Sequence, residues 1–262
     1  MKVKWNRAAA ILTAGMLLLS GCVSSGGPSQ TDSGIQGGES SQSQTASSGP
    51  EETVPEPSDA AAFFNDAVFV GDSVSLRLSF YCQAHPGVLG TAQFLTSGSL
   101  GSGNALWDVG ANSVHPSYQG EKMLVEDGVK AMGAKKVFLM LGMNDVGLYG
   151  VEDSVTNLNT LIQRILEKSP DAEIYIQSAT PILAGRERKT LNNENLDKYN
   201  AALKELAREK GYHFADVASV MKVEDGSLNP DYCSDPEDMG IHFTDAGAKV
   251  WIDYLLENAQ DF

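Results

Sequence analysis

The segment Lys136-Val137-Phe138-Leu139-Met140-Leu141-Gly142-Met143-Asn144-Asp145 decides the fold of this chain. Residues 137–141 form an apolar run with the length and composition of a buried strand, and polar side chains follow it closely. Comparable runs recur along the sequence, at residues 67–70, 92–95, 173–177 and, more weakly, 212–217. Together these five runs predict the strands of a single sheet.

Longer segments of helical character lie between and after these runs, at residues 119–131, 154–168, 191–210 and 244–258. In the second of them, Leu158, Leu161 and Ile165 recur at steps of three and four residues, which predicts a helix with one buried stripe. Alternation of strand and helix requires crossover connections. The prediction is an α/β protein with three layers, α/β/α, around a mostly parallel five-stranded sheet of the flavodoxin-like type.

Composition narrows the range of functions. The chain has 262 residues, of which 42% are hydrophobic, so it can bury a sizeable core. Asp and Glu outnumber Lys and Arg by 34 to 19, giving a formal charge of −15. This charge disfavours binding to nucleic acid. Three cysteines are too few for a disulfide scaffold.

The N-terminus has the features of a secretory signal. An apolar stretch at residues 8–19 is too short to span a bilayer as a mature helix and follows the basic residues Lys2, Lys4 and Arg7. It ends in Leu19-Ser20-Gly21-Cys22, which resembles the lipobox of bacterial lipoproteins. That resemblance implies removal of residues 1–21, lipid modification of Cys22, and an exported protein anchored to the outer face of the bacterial cell membrane.

Residues 23–58 are dominated by Ser, Gly, Gln, Thr, Pro and Glu and contain no aromatic or basic residue. Such a segment cannot bury enough apolar surface to offset the entropy of ordering. We therefore expect residues 22–58 to be a disordered tether with a reach of roughly 30–35 Å. Residues 59–262 then form one folded domain.

In a parallel sheet of this kind, ligands bind beyond the carboxyl ends of the strands. Three sequence blocks contain polar residues suited to such a site. Two of them follow predicted strands, and the third lies near the C-terminus: Gly71-Asp72-Ser73-Val74-Ser75-Leu76, Gly142-Met143-Asn144-Asp145 and Gly240-Ile241-His242-Phe243-Thr244-Asp245. In this order they resemble the SGNH subgroup of the GDSL-type esterases and lipases, over residues 66–258. The resemblance implies a serine hydrolase that acts on ester bonds and needs no cofactor.

The chemistry of Ser73 and His242 supports the same expectation. A serine hydroxyl is a weak nucleophile until a base removes its proton, and histidine is the side chain best suited to do so near neutral pH. Ser73 also follows a predicted strand and enters a helix, where backbone N–H groups favour a developing oxyanion.

The resemblance also assigns the oxyanion donors. It implies that the Asn144 amide and a glycine N–H contact the oxyanion, and the family's usual spacing indicates Gly101 first and Gly98 second. The loop around these glycines reads G-x-x-G-x-G and is not a dinucleotide-binding fingerprint.

The acid that should orient His242 departs from the family pattern. The family places it three residues before the histidine, where this chain has Met239. Asp238, four residues before, is the first choice; Asp235, seven before, and a Ser-His dyad without an acid are the alternatives.

Three further expectations concern partners and thiols. Spacing gives no indication of a metal site. Cys82 and Cys233 could form a disulfide in an exported protein, or remain separate thiols. The expected substrate is a small ester or an acylated glycan, with O-acetyl groups on cell-wall or extracellular polysaccharide favoured by the expected location. An acyltransferase using the same site, or a glycan-binding lipoprotein without activity, are the alternatives.

Overall fold

The computed structural model describes residues 58–262. The predicted signal peptide, Cys22 and nearly all of the predicted tether lie outside these residues. Within them the strands are β1 (Ala67–Gly71), β2 (Gln93–Thr96), β3 (Ser117–Tyr118), β4 (Glu121–Lys122), β5 (Lys136–Met140), β6 (Glu173–Gln177) and β7 (His213–Ala215).

The helices alternate with the strands. They are α1 (Asp59–Ala62), α2 (Ser73–Ala84), α3 (Ser102–Ala105), α4 (Val125–Met132), α5 (Val146–Lys168), α6 (Asn193–Lys210), α7 (Val217–Met221) and α8 (Asp245–Asn258), with a 3-10 turn at Pro230–Tyr232. Gly150, with φ of 78°, interrupts α5 after its first turn. None of the helices in the described part of the chain is both long and apolar enough to cross a membrane.

The main sheet has the strand order β2-β1-β5-β6-β7, and every neighbouring pair is parallel. The predicted fold class, a five-stranded sheet within an α/β/α arrangement, is confirmed. The strand order reverses between β1 and β5, since the chain first adds β2 on one side and then continues on the other. A crevice at the carboxyl ends of the strands forms at such a point in doubly wound sheets.

Alternating residues of the strands build two cores. Val68 and Val70 of β1 face a cluster that includes α4, α5 and α6, whereas Phe69 faces a second cluster that includes α2, α7 and α8. This alternation follows from the two-residue period of a strand. Burial on both faces explains why the strands are almost continuously apolar.

A row of rings crosses the sheet on its α2 and α8 face. Phe69 stacks on Phe94 and on Phe138, with centroid distances of 5.3 and 4.8 Å. Tyr175 continues the row, at 4.4 Å from Phe138 and 4.4 Å from His213. His213 therefore has a packing role in the sheet.

One predicted helix begins later than expected. The segment 119–131 was expected to be helical throughout, but the structure has the short hairpin β3-β4 at its start, and α4 begins at Val125. Gln119 and Gly120 both have positive φ, of 52° and 85°, and they make the two-residue turn of the hairpin.

Candidate active site

Ser73 lies where β1 passes into α2. Gly71 ends the strand, and Asp72 caps the helix by accepting the backbone N–H of Val74 at 2.9 Å. A Cβ at residue 71 would lie 2.0 Å from Ser75 Oγ and 2.9 Å from the carbonyl oxygen of Met140. Only glycine permits this close approach, so the Gly-Asp-Ser sequence fixes a tight turn from β1 into α2, and Ser73 is the first residue of the helix.

His242 lies in the loop before α8 and contacts two side chains. Its Nε2 atom is 2.9 Å from Ser73 Oγ, and its Nδ1 atom is 2.7 Å from Oδ2 of Asp235. Ser73 and His242 are 169 positions apart in the chain, so the fold alone brings them together. The result is a hydrogen-bonded series of hydroxyl, imidazole and carboxylate.

Asp235 is held by several donors. Its Oδ1 atom accepts the backbone N–H groups of Ile241 and His242, each at 3.0 Å. Burial alone would raise the pKa of this carboxyl, but the hydrogen bonds from the ring and backbone of His242 outweigh burial and lower the pKa below its usual value. Asp235 is therefore ionised and fixed in position beside the imidazole.

The prediction that Asp238 orients His242 is wrong. The carboxylate of Asp238 is exposed and lies 3.8 Å from a guanidinium nitrogen of Arg188. The backbone N–H groups of Asp238 and Gly240 both donate to the carbonyl oxygen of Asp235, which closes residues 235–240 into a compact turn. Because of this turn, the side chain of Asp238 faces solvent. Asp235, the alternative seven residues before the histidine, contacts His242 instead.

Asn144 follows β5, the neighbour of β1, and reaches the same edge of the sheet. Its Nδ2 atom donates to the carbonyl oxygen of Leu100 at 3.1 Å and to Oδ2 of Asp72 at 3.3 Å. Asn144 thereby links the loop after β2 to the turn that carries Ser73.

The structure does not support Gly101 as an oxyanion donor. Gly101 is buried, and its N–H donates to Oδ1 of Asn104 at 2.9 Å. A Cβ here would lie 2.8 Å from Oδ1 of Asp145, which is why the position requires glycine. Gly98, the second choice, is exposed, and its N–H makes no hydrogen bond within residues 58–262.

Two buried carboxyls brace the loops around the site. Asp145 accepts the N–H groups of Ser102 and Gly103, both at 2.9 Å, and burial raises its pKa. Burial likewise raises the pKa of Asp72 to about 7, against the opposing effect of the hydrogen bond from Val74. Both side chains act on the loops and not on Ser73 directly.

A comparison with models of known protein families identifies the family of this chain. A model of the GDSL-like lipase/acylhydrolase family matches residues 109–250, which are 142 of the 262 residues. The chain belongs to this family. The predicted family is thus confirmed, and as a GDSL-like acylhydrolase the protein is a serine ester hydrolase. The matched region contains Asn144 and His242 but not Ser73, whose place in the site rests on its contact with His242.

Solved structures share the fold of this GDSL-like acylhydrolase at low sequence identity. A protein from Streptococcus pneumoniae, described as a candidate platelet activating factor, has a TM-score of 0.55 and 22% identity, over 79% of this chain and 86% of that one. A GDSL-like lipase from Bacteroides thetaiotaomicron gives 0.52 and 15%, over 79% and 92%. A catalytic mutant of an acetylxylan esterase from Geobacillus stearothermophilus gives 0.50 and 17%, over 74% and 93%. No curated protein sequence matches the chain significantly.

Sequence reasoning missed one residue of the acylhydrolase site. Arg77, one turn after Ser73 on α2, donates from Nε to the carbonyl oxygen of Phe243 at 2.8 Å and pairs with Asp245 at 2.9 Å. These contacts tie the loop that carries His242 to the helix that carries Ser73. The four-residue spacing from Ser73 on one helix face is the only indication of this role in the sequence.

Cys82 and Cys233 of the acylhydrolase domain do not form a disulfide with each other. Cys82 and Cys233 are both free. Cys233 is buried, and its thiol contacts Oδ1 of Asp235 at 3.5 Å. Burial raises the pKa of both thiols, that of Cys82 to about 12, so neither is a reactive thiolate at neutral pH.

Proposed function

We propose that the protein hydrolyses carboxylic esters through an acyl-enzyme on Ser73. The hydrogen-bonded series Ser73–His242–Asp235, with distances of 2.9 and 2.7 Å, carries this proposal. The Nε2 atom of His242 removes the hydroxyl proton as Ser73 Oγ attacks the carbonyl carbon. Asp235 holds the imidazole in the tautomer that leaves Nε2 free to accept, and stabilises the imidazolium.

Attack by Ser73 gives a tetrahedral intermediate. His242 then transfers the serine proton to the oxygen of the departing alcohol, and the ester C–O bond breaks, leaving the acyl group on Ser73. Water enters as the second nucleophile, gives a proton to His242, and attacks the acyl carbon. Cleavage of the bond to Ser73 Oγ releases the carboxylic acid and returns the proton to the serine. No step requires a cofactor.

Asn144 and two backbone N–H groups serve as the oxyanion donors in this proposal. Both Nδ2 hydrogens of Asn144 are engaged, and the bond to Asp72 is the longer of the two, at 3.3 Å against 3.1 Å. An oxyanion replaces Asp72 as the acceptor of this hydrogen. The backbone N–H groups of Ser73 and Gly98 complete the set, so Gly98, the second choice from the family's spacing, takes the role that the resemblance first implied for Gly101.

The proposed substrate is an O-acetylated polysaccharide outside the cell. The lipobox-like sequence at Cys22 supports an exported, membrane-anchored enzyme, and such an enzyme encounters cell-wall and extracellular glycans. The similarity in fold to an acetylxylan esterase supports the same class of substrate. An assembled Ser-His-Asp series disfavours the alternative of a binding protein without activity.

A fluorophosphonate probe tests the nucleophile. It should label the wild-type protein and leave Ser73→Ala unlabelled. Ser73→Ala and His242→Ala should each lower turnover of p-nitrophenyl acetate by about 10⁴-fold or more, because the serine, base and acid act as a unit. Circular dichroism should show an intact fold in both. Labelling of Ser73→Ala, or full turnover by His242→Ala, would exclude the proposal.

A separate experiment distinguishes hydrolysis from acyl transfer. The products are analysed with a sugar acceptor present, and an acylated sugar would indicate acyl transfer.

A further inference from the structure

A cleft with aromatic walls lies between α3 and the beginning of α5, beside the proposed active site. It has a volume of about 360 Å³, and its walls include Gly103, Leu106, Trp107, Tyr149, Asp153 and Asn157. This volume lies within the range of small-molecule binding sites. The proposed mechanism uses none of these side chains.

The cleft has one accessible aromatic ring, that of Trp107, and one that packs firmly, that of Tyr149. Trp107 is 60% exposed, so most of its ring is accessible to a ligand in the cleft. Tyr149 packs directly on the backbone of Gly103, where a Cβ would lie 2.5 Å from its ring. Because residue 103 has no side chain, the ring of Tyr149 can pack directly against the backbone at this position.

Polar groups flank the rings. Asp153 and Asn157 are four residues apart on α5 and so lie on one face of the helix. Neither side chain forms a hydrogen bond to another group within residues 58–262, although each can bond to a ligand hydroxyl. A site with aromatic faces and free carboxylate and amide groups matches a sugar ring, which has C–H faces and a hydroxyl edge.

The cleft is close to the oxyanion side of the active site. Asn144 donates to the carbonyl oxygen of Leu100, and Gly103, on the cleft wall, is three residues further along the chain, in α3. Three residues extend over about 11 Å at most. Gly103 also donates to Asp145, the residue after Asn144. The cleft wall therefore lies within about 11 Å of Leu100, the residue that Asn144 contacts, and a short oligosaccharide is long enough to bridge this span.

We propose that this cleft binds a sugar unit of a neutral oligosaccharide whose acylated unit is held at Ser73; the assignment rests on the proposed esterase function. A fatty acyl chain fits less well, because Asp153 would be desolvated against it. An acidic glycan also fits less well, because the cleft carries a carboxylate and the chain has a formal charge of −15.

Kinetics with substrates of different length test the cleft. Acetylated xylotetraose serves as the long probe and p-nitrophenyl acetate as the short one. Trp107→Ala should raise KM for the tetrasaccharide about tenfold with kcat unchanged, and leave both constants for p-nitrophenyl acetate unchanged. Trp107→Phe should restore most of the loss. Phe80→Ala, at another exposed aromatic residue that does not line the cleft, is the matched control and should behave as the wild type.

Tryptophan fluorescence tests binding without catalysis. Xylotetraose added to Ser73→Ala should shift the emission to shorter wavelength, because Trp107 is exposed whereas Trp251 is fully buried. The double variant Ser73→Ala/Trp107→Ala should show no shift. Tetragalacturonate should bind more weakly than xylotetraose at low salt.

An unchanged KM for acetylated xylotetraose in Trp107→Ala, together with no shift in Ser73→Ala, would overturn the cleft assignment even if p-nitrophenyl acetate is hydrolysed normally. Equal or tighter binding of tetragalacturonate would overturn its restriction to neutral glycans. Failure of the esterase proposal itself would be recognised separately, by absence of fluorophosphonate labelling in the wild type.

Discussion

At the scale of single residues, the identity of the acid beside His242 has a direct consequence for activity. Asp235→Asn should lower kcat for p-nitrophenyl acetate by about 10⁴-fold, because an amide does not hold the imidazole in the required tautomer. Asp238→Asn should retain nearly full activity, since its carboxylate faces Arg188 in solvent. Steady-state rates of the two variants decide the matter, and a severe loss in Asp238→Asn would contradict the geometry.

The two glycines of the loop after β2 should respond differently to the same change. Gly101→Ala should lower the free energy of unfolding by about 1–3 kcal/mol, because the new methyl group would lie 2.8 Å from Asp145 Oδ1. Gly98→Ala has no atom within 4 Å of the new Cβ and keeps its backbone N–H, so stability and kcat should be unchanged. Urea denaturation and rates with p-nitrophenyl acetate measure both; equal stability of the two variants would argue against the close packing at Gly101.

At the scale of elements, α2 and the loop before α8 must keep a fixed distance. Arg77→Met should lower kcat by about tenfold while KM changes little, because loss of the bond to the Phe243 carbonyl lets His242 move relative to Ser73. Asp245→Ala removes only the exposed ion pair and should cost much less. If both variants lose activity equally, the ion pair and not the carbonyl contact fixes the loop.

The sequence predicted the strands well and some connections poorly. The five runs coincide with the five sheet strands to within one or two residues, because strands buried on both faces are continuously apolar. The hairpin at Gln119 and Gly120 was missed, because its turn depends on positive φ at a non-glycine residue. Asp235 could not be selected from spacing alone, because the turn at residues 235–240, closed by hydrogen bonds to a backbone carbonyl, sets which carboxylate reaches His242.

At the scale of the whole molecule, burial of Asp72 makes stability depend on pH. Its pKa of about 7 lies above the ordinary value, so the folded state binds the proton more tightly than the unfolded chain. Stability should therefore fall as pH rises from about 4 to 7 and level off above that. Asp72→Asn keeps the helix cap but does not titrate, so its Tm should gain several degrees relative to the wild type between pH 5 and pH 8. A constant difference between the two Tm values would contradict this.

The free thiols give a second prediction for the whole domain. Because Cys82 and Cys233 are separate, dithiothreitol should leave the Tm of residues 58–262 unchanged, and two thiols should react with Ellman's reagent after denaturation. Cys82→Ser provides the control, with one reactive thiol fewer and the same activity. A drop of several degrees on reduction would indicate a cross-link between them.

The long separation of Ser73 from His242 affects when activity can arise during synthesis. Ser73 lies at the first strand-to-helix junction of the described residues, between β1 and α2, whereas its base lies 169 positions later in the chain. A polypeptide still attached to the ribosome, or shortened by a protease upstream of residue 242, has a serine but no imidazole to activate it. The chain is thus inert towards surrounding esters until the segment that carries His242 has been synthesised and folded against α2.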